Sequence, residues 1–136
     1  MANTTFSGPV RSENGFEQVT KNATTGAFTT SATYGASITG GVQTLSGAGA
    51  ADLTNLITEL TTAAGAAAVT LADGTTSGQI KIINHIVDGG GTATVTPVTF
   101  ANGTTIAFDA VGESVTLVWN STVGWVASSV NGATVA

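Results

Sequence analysis

From Val69 onward the chain reads as short extended runs, each closed by a turn signal, and no other feature restricts its fold as strongly. Val69 to Ala72 leads into Asp73-Gly74, and Gln79 to Asp88 ends at Gly89-Gly90-Gly91. Thr92 to Phe100 ends at Asn102-Gly103, and Thr104 to Asp109 ends before Gly112. Ser114 to Asn120 ends before Gly124, where Trp125 opens a last run. Short β-branched runs at this spacing predict an all-β chain, a compact antiparallel sandwich or barrel.

Alternate side chains of a strand share a face, so parity sorts each run into two sides. Ile80, Ile82 and Ile86 fall on one side of their run, with Lys81, Ile83, His85 and Val87 on the other. Ile106 pairs in parity with Phe108, and Val115 with Leu117 and Trp119. Pro97 has no N–H for a ladder, so the run from Thr92 to Phe100 is expected at an edge or bulged. Trp125 and Val126 point to opposite sides, so one of them is expected to meet another chain.

The first third differs in kind. Residues 1–35 are polar, interrupted by Pro9 and Asn14-Gly15, and carry Phe6, Phe16, Phe28 and Tyr34 at wide spacing. They read as an extended N-terminal arm, with a disordered tail as the alternative, ahead of a β domain over 36–136. Isolated aromatics beside Arg11 are the residue types that anchor an interface. Phe6, Arg11, Phe16, Phe28 and Tyr34 are therefore the candidate partner-binding residues, and Trp119 and Trp125 the candidate oligomer contacts. At the start of the domain, Val42 to Leu45 reads as a short strand. In 52–60, Leu53, Leu56, Ile57 and Leu60 form a helical stripe, but several Thr residues disfavour a helix. A strand pairing with Ala66 to Leu71 is expected, with a short helix as the alternative.

Composition removes several functions. There is no Cys among the 136 residues, hence no disulfide or thiolate zinc site. Charged residues make up 8%, against about 25% in an ordinary soluble domain. With three Lys or Arg against eight Asp or Glu, the net charge of −5 leaves no basic footprint for nucleic acid or anionic lipid. The opening residues lack the pattern of a signal peptide, and no apolar run reaches the ~20 residues of a membrane helix. A surface of Thr, Ala and Gly fits either a source that tolerates low charge or a chain that lies against identical neighbours or a large scaffold.

Catalytic patterns are weak. His85 is the single histidine, expected at a surface or interface, and no Gly-x-Ser-x-Gly elbow accompanies it. Asp73, Asp88 and Asp109 sit beside turns, where Asp bonds its own backbone. The glycine clusters lack the lysine and helix of a phosphate loop. No catalytic residue, metal ligand or cofactor is expected.

The run Leu71-Ala72-Asp73-Gly74-Thr75-Thr76-Ser77-Gly78-Gln79-Ile80-Lys81-Ile82-Ile83, with Thr94-Val95-Thr96-Pro97, Ala101 to Ile106, Gly112 to Asn120 and Gly124-Trp125, resembles a small β domain of virion structural proteins in tailed bacteriophages, those of marine and cyanobacterial phages in particular. The opening Phe6 to Gly15 is also similar to the start of such proteins. The resemblance covers about 56 residues, from Leu71 to Val126. It implies a structural, non-enzymatic role, often as a trimer. The absence of rod-forming repeats favours a head decoration, or cement, protein bridging subunits of the major capsid protein on the capsid exterior, made in the host cytoplasm. The alternatives are a tail-fibre or receptor-binding tip, where exposed tryptophans stack on sugars, and a minor tail protein.

Overall fold

The computed structural model describes residues 16–34 and 41–136, and these divide into two compact units, Met1–Ile38 and Thr39–Ala136. In the first unit, β1 (Phe16–Lys21) and β2 (Phe28–Tyr34) form an antiparallel hairpin with a bulge between Gln18 and Val19. Asn22 makes the turn. Its Oδ1 accepts from the N–H groups of Thr24 and Thr25 at 2.9 and 3.0 Å, and Gly26 takes a φ of 71°. Asn and Gly are the residues that tolerate such a reversal. Within the first unit, residues 16–34 thus pair as a hairpin.

The second unit is a β-sandwich of two five-stranded sheets. Its strands are β3 (Val42–Ser46), β4 (Gly49–Ala51), β5 (Ile57–Thr61), β6 (Ala67–Leu71), β7 (Ile80–Val87), β8 (Ala93–Pro97), β9 (Ile106–Phe108), β10 (Ser114–Asn120), β11 (Gly124–Asn131) and β12 (Thr134–Val135). One sheet runs β11-β10-β7-β5-β3 and the other β12-β9-β8-β6-β4. The all-β expectation holds, as does the sandwich, but the sheets are mixed and not antiparallel. From β3 to β8 the chain alternates between sheets, and each strand lies parallel to the one two before it. Parallel neighbours need a crossover. Here a strand of the opposite sheet serves as that crossover, which makes the first half a flattened spiral. The second half closes it with antiparallel pairs.

This corrects the expected pairing of 52–60 with Ala66 to Leu71. The segment is a turn followed by β5, and β5 and β6 belong to different sheets. The link between them stacks on the link from β7 to β8. Thr62 N donates to Val87 O and Ala67 N to Thr92 O, both at 2.9 Å. A Cβ at Gly89 would overlap the Thr62 carbonyl, and one at Gly91 the Gly65 carbonyl. Two backbones touching at a corner account for the glycine run.

Pro97 also departs from expectation, because β8 is an inner strand. Val98 N donates across to Leu71 O at 2.9 Å, while the β9 ladder stops at Val95–Ile106. Neighbouring residues point their amides to opposite sides. Pro97 therefore turns its missing donor toward the side where β9 has already ended.

Leu60, Ile83, Val115, Leu117, Trp119 and Trp125 from one sheet meet Val69, Leu71, Val95, Ile106 and Phe108 from the other. Parity placed Ile106, Phe108, Val115, Leu117 and Trp119 together correctly. On β7 the side that faces the core is the polar one: Lys81, Ile83 and His85 are buried, while Ile80 and Ile86 stand exposed.

Candidate functional site

Lys81 enters the interior at the start of β7 and is 1% exposed. Its Nζ donates to the carbonyl of Asn55 at 2.8 Å. Asp52 holds that carbonyl in place. Its Oδ1 accepts from Asn55 N at 2.7 Å and Thr54 N at 3.0 Å, and its Oδ2 from Asn55 Nδ2 at 2.8 Å. Gln43 completes the network: its Nε2 donates to Ala50 O, and its Oε1 accepts from Asp52 N and from the Thr58 hydroxyl. Burial pushes the Lys81 ammonium below its ordinary value, and Asp52 opposes this. Burial pushes Asp52 up, but the bonds from Asn55 and Thr54, with Lys81, leave it lowered on balance. A desolvated amine is the type that forms Schiff bases. This one is spent on a carbonyl, tying the loop before β5 to β7.

His85 does the same at the far end of β7. Nδ1 lies 3.0 Å from Ala110 O and Nε2 lies 3.3 Å from the Thr62 hydroxyl. The Ala110 carbonyl can only accept, so Nδ1 is the donor there. The Thr62 hydroxyl also accepts from Gly89 N at 3.2 Å and donates to Asp88 Oδ1 at 3.3 Å. Asp88 Oδ1 accepts from Gly90 N at 2.7 Å. One imidazole thus joins the loops around Thr62, Gly89 and Ala110. At 1% exposure, His85 is a core residue, which corrects the surface position expected from its neighbours in sequence. Beside it Glu113 Oε2 accepts from Asp109 N at 2.6 Å and Ala110 N at 3.2 Å.

The candidate oligomer contacts Trp119 and Trp125 are 8% and 0% exposed, packed edge to face with ring centroids 5.4 Å apart. Trp125 Nε1 donates to Ala72 O at 2.9 Å. Both are core residues of the single chain, which corrects their assignment as contacts with another chain. Indole rings carry large apolar area, and the sandwich uses it to fill the end where Gly74 approaches Trp119. Asp73, next to Gly74, accepts from the Thr99 hydroxyl at 3.1 Å, and its inner Oδ1 has no partner among the described residues. Of the arm candidates, Phe6 and Arg11 lie outside the described residues. Phe16 and Tyr34 are register partners at the open end of the hairpin, and Phe28 pairs with Lys21 at the turn.

The outer face of the sheet β11-β10-β7-β5-β3 is the surface that parity reasoning overlooked. Register aligns Val42 with Ile57 and Ile57 with Ile82, and beside them Ile80 with Val118 and Val118 with Val126. Val42 and Ile80 are 48% and 47% exposed, and the other four are half-buried. The opposite sheet turns Ala50, Ala68, Thr70, Thr94, Thr96 and Ala107 outward, all small. Among the described residues no group of three or more His, Cys, Asp or Glu is placed to hold a metal ion. No helix there is long and apolar enough to cross a membrane. No family model matches the chain, and no curated protein matches it.

Proposed function

We propose that this chain is a structural protein of a tailed-bacteriophage virion, a head decoration protein that stabilises the capsid by bridging subunits of the major capsid protein. The observation that carries the reading is the division of the chain into two compact units, one built on a hairpin with aromatic residues at both ends and one a sandwich. The sandwich spends Lys81 and His85 on its own backbone carbonyls. The sequence resemblance of Leu71 to Val126 points the same way. In this reading the sandwich assembles with copies of itself, as a trimer, while the first 35 residues grip the lattice. Several modest contacts held together raise the cost of opening the shell far beyond any one of them.

Full-length protein added to undecorated phage heads is expected to bind at saturating, regular occupancy and to leave host surfaces unbound. Deleting Met1 to Tyr34 is expected to abolish head binding while the sandwich stays folded and assembled. Wild-type occupancy by the truncated protein would remove the arm from its proposed role. Failure of the full chain to bind heads would remove the proposal itself.

A further inference from the structure

We infer that the outer face of the sheet β11-β10-β7-β5-β3 is the surface through which copies of this chain assemble, so that Val42, Ile57, Ile80, Ile82, Val118 and Val126 of neighbouring copies meet. The inference deepens the proposed function, since it names the face behind the assembly proposed there.

Charge indicates which partner fits. Five of the six acids of the sandwich, Asp52, Asp73, Asp88, Asp109 and Glu113, lie in links outside the strands. Its one cation, Lys81, is buried. The face carries a single charge, Glu59, on β5 in the row beside Ile57 and Ile82. A basic partner would find only Glu59 here to pair with. An identical copy, acidic at its loops, can approach closely only through a face free of those loops.

Layout agrees. Five strands at ~4.8 Å spacing and about six residues of strand length give roughly 20 by 20 Å in plan. That is about half of the ~800 Å² that each partner contributes to a standard interface. The polar row Thr44, Glu59, Asn84 and Ser114 lies within that plan and borders the apolar residues in register. An apolar centre with a polar rim is the usual anatomy of an interface. The opposite sheet offers no comparable centre, since its outward residues are Ala and Thr.

The test is the solution mass of the full chain by sedimentation or light scattering. The wild type is expected at a multiple of 13.3 kDa. Ile80→Lys and Val118→Lys, each with an unchanged circular dichroism spectrum, are expected to run as monomers. Thr70→Lys and Thr94→Lys, on the other sheet, are expected to stay assembled. A monomeric wild type would overturn the inference. So would assembly that survives both Ile80→Lys and Val118→Lys, or that is lost only with Thr94→Lys. An assembled protein that ignores phage heads leaves this inference standing and removes the decoration role, so the two failures are distinguishable.

Discussion

Lys81 and His85 stand four residues apart on the inner face of β7, and each ends on a backbone carbonyl of a link between strands. Lys81 Nζ reaches Asn55 O at 2.8 Å and His85 Nδ1 reaches Ala110 O at 3.0 Å. One strand therefore pins loops at both ends of the sandwich. Carbonyls in links between strands have no ladder partner, and a buried one left alone costs about 1–3 kcal/mol.

Lys81 makes a prediction about alkaline pH. Lys81→Ala is expected to cost about 2–5 kcal/mol, because it opens a cavity in a packed interior. Lys81→Met keeps the volume and sheds a desolvated charge along with its hydrogen bond, so it is expected within about 1 kcal/mol of wild type at neutral pH. The folded pKa of Lys81 is lowered from 10.5. Below that window the folded chain must hold an ammonium it disfavours. As pH rises toward 10.5, the unfolded chain keeps the proton longer, and stability rises. Denaturant titrations between neutral pH and 10.5 should show this gain in wild type and not in Lys81→Met.

His85 makes a local prediction. His85→Ala is expected to cost about 2–4 kcal/mol, through the cavity it opens in the core. Hydrogen exchange should rise first at Gly89, Gly90, Gly112 and Glu113, whose amides sit in the loops the imidazole joins. Equal loss of protection across all strands would deny His85 this loop-pinning role.

How much of this was legible in the sequence depended on range. Turns at Asp73-Gly74, Gly89 to Gly91 and Gly124 could be read because a reversal is a local demand on backbone. So could the bounds of β10, and the inward set Val115, Leu117 and Trp119. The parallel spiral could not: the link from β5 to β6 has the composition of a hairpin turn, and only its stacking against Gly89 and Gly91 sends it across the sandwich. β7 was misread because both of its faces are largely apolar. Parity separates the two sides, but hydrophobicity could not say which was buried when Ile80, Ile82 and Ile86 opposed Lys81 and His85. The same ambiguity hid the outer face argued above to be an interface.

Glu113 predicts the acid limb. Burial pushes its carboxyl up, but the amides of Ala110 and Asp109, with attraction from His85, leave it below its ordinary 4.5. A carboxyl lowered in the folded state contributes stability that is present above 4.5 and fades as pH falls through its folded value. Glu113→Gln should lose that part of the acid dependence while remaining folded at neutral pH. Urea midpoints compared at pH 3 to 7 check this, and parallel curves for the two proteins would contradict it.

The two crossing links give a paired prediction at glycines. Gly91 is buried, and a Cβ there would overlap the carbonyls of Gly65 and Ala63, which are backbone and have nowhere to move. Gly65 lies in the same pair of links, but a Cβ on it meets nothing within 4 Å. Gly91→Ala is therefore expected to cost about 1–3 kcal/mol or more, while Gly65→Ala should stay within ~0.5 kcal/mol of wild type. Thermal unfolding of the two variants side by side separates stacked backbones from loose turns. If both were tolerated equally, the links would not be in contact, and the corner that turns β5 away from β6 would need another cause.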